Sequence, residues 1–173
     1  MILPRDPLAN CQPLIRRVYA YVAYRIGDGP DAEDVTSETF ERAVRYRRTY
    51  DRSKGEPAAW LIGIARRVIA ARGSEPAEVP TADLPEFAAS TAVDDDVVVR
   101  LSIRTVVASL EDRDRDLIAL AYGADLRARE IGDLLGLETN AVEVALHRAR
   151  RRLAERLESL DEEEHGRTSS AGL

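Results

Sequence analysis

The spacing of two glycines and a valine constrains this chain more than any other feature in it. In "LRAREIGDLLGLETNAVEVALHRARRRLAERL", Gly132 is followed four residues later by Gly136, and Val142 stands six residues beyond that. Two short helices that cross around a tight turn need a small residue at the crossing, a left-handed backbone in the turn, and an apolar residue to pack the second helix. Gly132, Gly136 and Val142 meet those needs in order, since glycine enters the left-handed region at least cost. Ile131, Leu135, Leu137 and Leu146 are expected to fill the remaining buried positions. The set predicts a helix-turn-helix rather than an unrelated helical hairpin.

On the second helix of that motif, Val142, Leu146, Ala149 and Leu153 share one face and should be core. Glu143, His147, Arg150 and Arg151 fall elsewhere and should face outward. A run of charge is commonly only a solvated surface. Its place on this helix makes Arg148, Arg150 and Arg151 candidates for phosphate contact. His147 reads as exposed polar surface, because no second His, Cys or paired carboxylate stands at metal-ligand spacing. No metal and no cofactor is expected. No nucleophile–base pair or phosphate loop is present, so no catalytic residue is assigned and the chain is not read as an enzyme.

Net charge argues at first against a polyanionic partner, at −6 over 173 residues. Its distribution reverses the argument. Residues 73 to 99 carry seven acidic groups and no basic one, and Asp161 to Glu164 add four more. Setting those eleven aside leaves 20 acidic residues against 25 basic ones. Local field, rather than the total, decides where a polyanion docks. All the basic residues are Arg except Lys54. The single cysteine, Cys11, excludes an internal disulfide and fits a reducing compartment. No apolar run is long enough for a signal peptide or a membrane span, so a cytoplasmic protein without membrane insertion is expected.

Periodicity organises the chain as all-α, in two small helical domains. The first, 8–72, opens with Leu14, Ile15, Val18, Tyr21, Val22 and Ile26 at helical steps. "GDGP" (27–30) stops that helix, and Pro30 starts the next, capped by Asp28 or Gly29. This second helix continues through Val35, Phe40, Ala43 and Val44. "TYDRSKGEP" is a loop, and Pro57 opens a third helix with the stripe Trp60, Leu61, Ile64, Val68 and Ile69. Residues 73–96 hold three prolines and many acids without periodicity, and read as a flexible acidic linker, with a partner-binding or DNA-mimicking role as the other possibility. The second domain, 97–160, begins with a helix over Val98 to Leu110 and a further helix around Leu117 to Ala121. An acidic and polar tail, 161–173, ends the chain.

These blocks resemble a known family. "DAEDVTSETFERAV" is similar to a stretch reading roughly D-A-E-D-L-T-Q-E-T-F, and "PAAWLIGIARR" to W-L-x-x-I-A-R-N. "LEDRDRDLIALAYGADLRAREIGDLLGLETNAVEVALHRARRRL" follows the same family's second block almost throughout. The family is that of the sigma factors of bacterial RNA polymerase, in the extracytoplasmic-function group, which keeps only regions 2 and 4. The resemblance implies an alternative sigma factor whose partners are the clamp helices and flap of core RNA polymerase, promoter DNA, and an anti-sigma factor. Asp34 and Glu38 match the clamp-contacting helix, with Phe40 as packing. Tyr46, Arg47, Arg48, Tyr50, Arg52 and Lys54 match the segment that captures an unstacked base of the −10 element, where cations hold the backbone and rings stack the base. Trp60 is a further stacking candidate, though its stripe places it in the core. Thr139, Asn140, Glu143, His147, Arg148, Arg150 and Arg151 lie on the helix that the family places in the −35 major groove.

The sequence departs from the family at several places. Ser37 stands where Gln is usual, Arg67 where Asn is, Ala71 where Asp is, and "GSEP" replaces further basic residues. The tip of the recognition helix reads Ala141, Val142, Glu143, Val144, Ala145 in place of T-V-K-S-R. Glu143 has two readings: a capping partner of Asn140, three residues earlier, or an acceptor for cytosine N4. Two other functions fit parts of the sequence: a polymerase-independent regulator using residues 97–173 alone, and a sigma-like adaptor that binds protein rather than DNA.

Overall fold

The computed structural model describes residues 6–74 and 103–170. The acidic segment 75–96 and the residues Val98 and Leu101 lie outside the described residues. Among those described, the first block has three helices, α1 (Cys11–Ile26), α2 (Pro30–Tyr46) and α3 (Pro57–Ser74). The second has α4 (residues 103–108), α5 (Asp112–Ile118), α6 (Ala128–Leu135) and α7 (Thr139–Ser170). Every regular element among them is helical.

The turns follow from the residues that form them. Gly27 (φ 96°) and Gly29 (φ 121°) take left-handed conformations that let α1 end and α2 begin within three residues, with Pro30 in the first turn of α2. Gly29 is the N-cap residue. Asp28 is occupied elsewhere, accepting from the Tyr19 hydroxyl and pairing with Arg104 of α4. A π-helical turn, Ala119–Gly123, continues α5. α7 runs well past Leu157, where the recognition helix was expected to stop, and through most of the expected tail. Residues 154 to 164 are mostly strong helix formers with no proline, so nothing in them ends the helix.

The two blocks share one apolar core. Val18, Tyr21, Val22, Val35, Leu61, Ile62 and Val68 of the first pack in one cluster with Leu117, Leu120, Ile131, Val142 and Leu146 of the second. α1 and α3 therefore each have two covered faces. Three residues read as stripe members are instead exposed: Ile15, Ile26 and Val44, at 42%, 42% and 54%. Each lies at the margin of its apolar stripe, and the facing helices do not reach that far around. Trp60 is half-buried at the rim of the core, and Phe40 packs on the core with one edge open.

Candidate nucleic-acid interface

The helix-turn-helix is held by its turn. Gly136 adopts φ 69°, ψ 36°, and its N–H donates to the Gly132 carbonyl. The Leu137 N–H donates to the same carbonyl at 2.9 Å. The turn thus folds back over Gly132, so a Cβ there would stand 2.6 Å from the Leu137 carbonyl oxygen. Ile131, Val142 and Leu146 are buried, and Leu135 is half-buried. Leu137 is a correction: it is 38% exposed, because the chain has already left α6 and its backbone, not its side chain, fills the crossing.

Capping also differs from expectation. α7 begins at Thr139, and the Val142 N–H donates to the Glu138 carbonyl at 3.1 Å, so Asn140 is already inside the first turn. Asn140 and Glu143 therefore form no capping box. The acid that reaches back to a helix start is Glu130, which accepts the Arg127 N–H at 2.8 Å at the head of α6. Glu143 is exposed and has no hydrogen bond or ion pair among the described residues.

The arginines of α7 separate into two kinds. Arg152 pairs with the buried Asp114 of α5 at 2.5 Å, and Arg150 lies 5.5 Å from the ring centroid of Tyr122. These two brace α7 against its own block. Arg151 makes a loose exposed pair with Glu155 at 3.5 Å. Arg148, His147, Asn140 and Thr139 are exposed and carry no partner among the described residues. With Glu143 and Val144 (44% exposed), they form the outward face of the helix.

The loop between α2 and α3 is built from two short 3₁₀ turns, Arg47–Thr49 and Arg52–Lys54. Side chains hold it. The Thr49 hydroxyl donates to the Tyr46 carbonyl (2.8 Å), and the Asp51 carboxylate accepts from the Ser53 N–H (2.9 Å) and hydroxyl (2.7 Å). Those Ser53 bonds hold the Asp51 carboxyl below its ordinary pKa. The Tyr50 hydroxyl donates to the Gly55 carbonyl at 2.9 Å, and burial raises the pKa of this phenol. Its ring meets Trp60 at 5.4 Å between centroids, with planes tilted by 57°. Tyr46, Arg47, Arg48, Arg52 and Lys54 are all exposed. The loop therefore presents four cations around an aromatic pair, which suits a phosphate backbone with an unstacked base.

On α2, Asp34 is exposed and unpaired among the described residues. Glu38 is half-buried and tied to Arg42 (2.6 Å) and to Arg72 of α3 (3.1 Å). Asp34 is thus open to a partner, whereas Glu38 joins two helices. Beside them lies an apolar groove that includes Ile15, Tyr19, Phe40 and Val44. Helical periodicity places Ile15 and Val44 in their helices but does not say whether those positions are covered, so it leaves this surface unmarked. Only the surplus of apolar positions around α2 hinted at it.

Comparison with known proteins agrees with this architecture. Residues 12–72 match Sigma-70 region 2, and residues 100–153 match Sigma-70 region 4. The ECF RNA polymerase sigma factor BldN of Streptomyces coelicolor is 31% identical over 79% of this chain, which spans about half (54%) of that protein's length. The ECF RNA polymerase sigma factor SigF of Caulobacter vibrioides is 32% identical over 84% of this chain and 82% of its own length. Among solved structures, the sigma factor RpoE of Bartonella quintana, in complex with the anti-sigma factor NepR, superposes with a TM-score of 0.65 at 15% identity. That match covers 90% of this chain and 98% of RpoE. CnrH, in complex with the cytosolic domain of CnrY, gives 0.59 at 20% identity, over 90% and 94% of the two chains. The chain belongs to the sigma-70 family, as a sigma factor of the extracytoplasmic-function group, the class that directs RNA polymerase to promoters. No helix among the described residues is long and apolar enough to cross a membrane.

Proposed function

We propose that this chain acts in the cytoplasm as an alternative sigma factor with a three-part division of labour. The open side of α2, with Asp34 and the Ile15–Phe40–Val44 groove, receives the clamp helices of core polymerase. The loop of residues 46–54 captures the −10 strand, with cations on phosphates and Tyr50 beside Trp60 at the base. The outward face of α7 lies in the −35 major groove, with Arg148 and Arg151 on phosphates and Asn140, Glu143 and Val144 nearest the bases. Glu143 has no capping role, which favours its second reading as an acceptor for cytosine N4. No covalent chemistry is needed from any of these residues, since the core enzyme makes the RNA.

The observation that carries the proposal is the pairing of a cationic, aromatic loop in one block with an unpartnered recognition face in the other, in the order of regions 2 and 4. An anti-sigma factor is the inhibitor this reading implies, since the RpoE structure above was solved with one. The test is transcription with reconstituted core polymerase on genomic fragments, followed by start-site mapping. Defined start sites that require the chain are expected. Transcription indifferent to its addition, or specific duplex binding that needs no polymerase, would refute the proposal.

A further inference from the structure

The outward side of α7 is one continuous stripe that changes character along its length. Asn140, Glu143, Val144 and His147, then Arg148 and Arg151, recur at the spacing of a single helix face. They stand opposite the buried Val142, Leu146 and Ala149. From Thr139 to Leu146 the helix has no basic residue, and its arginines begin at Arg148. Arg150 and Arg152 are engaged by Tyr122 and Asp114 of their own block. Ala141 and Ala145 flank the tip and carry nothing long enough to reach a phosphate. The tip therefore has no group that binds the DNA backbone by charge, while the stripe beyond it does.

Asn140 to His147 cover about 10 Å of helix axis, or about three base-pair steps. A carboxylate brought to a polyanion is repelled unless it meets a hydrogen-bond donor. The base edges of the major groove offer two, adenine N6 and cytosine N4. On adenine the donor adjoins N7, an acceptor that repels a carboxylate. On cytosine it adjoins only C5–H. Glu143 is exposed and has no partner among the described residues, so its carboxylate is free to select cytosine. Val144 is 44% exposed and has no polar atom in its side chain. Its counterpart in the groove is the thymine methyl. Glu143 and Val144 are consecutive, and one pair cannot present both groups, so the two bases belong to adjoining pairs.

We propose that the tip of α7 reads a cytosine through the Glu143 carboxylate and a thymine in the adjoining pair through Val144, while Arg148 and Arg151 supply the phosphate affinity. The inference rests on the placement of α7 in the major groove proposed above, and adds which bases are read and by which chemical group. The test uses holoenzyme reconstituted from the full chain and core polymerase. Promoters recovered by start-site mapping are randomised across the upstream element and selected for binding. The enriched element is then rebuilt with single-group changes. N4-methylcytosine keeps its base pair but replaces the groove-facing N–H by a methyl, and deoxyuridine removes only the thymine methyl.

The enriched element should hold a C·G pair beside a T·A pair. N4-methylation of that cytosine should weaken binding about tenfold, and uracil for that thymine about fourfold. Glu143→Ala should lose both the cytosine preference and the response to methylation. Glu143→Gln should shift the preference toward adenine, whose N6 and N7 match a carboxamide. Val144→Ser should bind thymine and uracil alike. All three substitutions are at exposed positions, and a wild-type melting temperature checks that the fold is kept. An enriched element without cytosine, or methylation that weakens wild type and Glu143→Ala alike, overturns the Glu143 contact. A uracil effect that persists in Val144→Ser overturns the Val144 contact. Defined start sites with no upstream base preference overturn base reading by the tip and leave the proposed function standing. The absence of any defined start site overturns the proposed function and this inference with it.

Discussion

The two elements proposed to face DNA are built by opposite means. The α6–α7 crossing is set by backbone: two glycines let one carbonyl, that of Gly132, take both N–H groups of the turn. The 46–54 loop is set by side chains, through the Thr49 and Tyr50 hydroxyls and the Asp51 carboxylate. A backbone-set element tolerates almost no substitution at its few key positions and wide variation elsewhere. A side-chain-set element loses its shape gradually. On the proposed assignment, this difference means that α7 can change what it reads, as the Glu143–Val144 tip suggests, while its frame stays fixed.

The contrast can be broken or sharpened by substitution. Gly132→Ala should be the most damaging, because a Cβ 2.6 Å from a backbone oxygen leaves no flexible neighbour to yield. A loss of about 2–3 kcal/mol is expected in denaturant unfolding, and wild-type stability in that variant would show that the crossing is looser than described. Gly136→Ala has open space around it but a φ of 69°, so about 1 kcal/mol is expected from backbone strain alone. In the loop, Tyr50→Phe loses one hydrogen bond to Gly55, costing at most about 1 kcal/mol. Its ring still packs on Trp60, so affinity for a single-stranded −10 oligonucleotide should change less than for Tyr50→Ala; equal losses in the two variants would remove the ring from the site.

The arginines of α7 give a subtler pair. Arg148→Ala should leave the melting temperature unchanged and lower the salt slope of promoter-duplex binding by about one counterion. Arg152→Ala should do the reverse, lowering the melting temperature by stranding the buried Asp114 and leaving the slope intact. Matching slopes in both variants would mean that the division drawn from the structure does not hold on DNA.

The smallest effect concerns pH. The Arg25 hydrogen bond holds the Asp112 carboxyl below its ordinary value, so its folded pKa lies under the unfolded one of about 3.9. Its contribution is therefore present above about pH 4 and fades as pH falls through the folded value. Asp112 is largely exposed, which keeps the effect small. Acid unfolding of the wild type, followed by circular dichroism and compared with Asp112→Asn, would isolate it. A variant whose acid profile overlays the wild type would leave this pair without a part in holding α1 to α5.

The same contrast explains what could be read beforehand. Gly132, Gly136 and Val142 were legible because the crossing demands fixed residue types at fixed spacing. The α1, α2 and α3 helices were legible from their apolar steps and from "GDGP". Periodicity does not say how much of a stripe is covered, so it could not mark Ile15 and Val44 as exposed, and Leu137, expected to be buried, is exposed as well. The sharing of one core by both blocks was also hidden, since Tyr21 and Asp116 are 95 residues apart in sequence. The loop residues came only from family resemblance, since cations and tyrosines in a loop have no periodicity of their own. Arg150 and Arg152 could not be told from Arg148 by composition, because their partners, Tyr122 and Asp114, belong to another helix.

Trp60 is the only tryptophan in the chain. It sits half-buried against Tyr50, at the rim of the core, where the capture loop meets the third helix. The molecule therefore carries a native fluorophore at the place assigned to base entry, with no competing indole. A base that stacks there changes the polarity and quenching around that single ring. Emission from unlabelled protein thus offers a continuous optical record of loop occupancy, on a timescale fast enough to follow promoter melting as it happens.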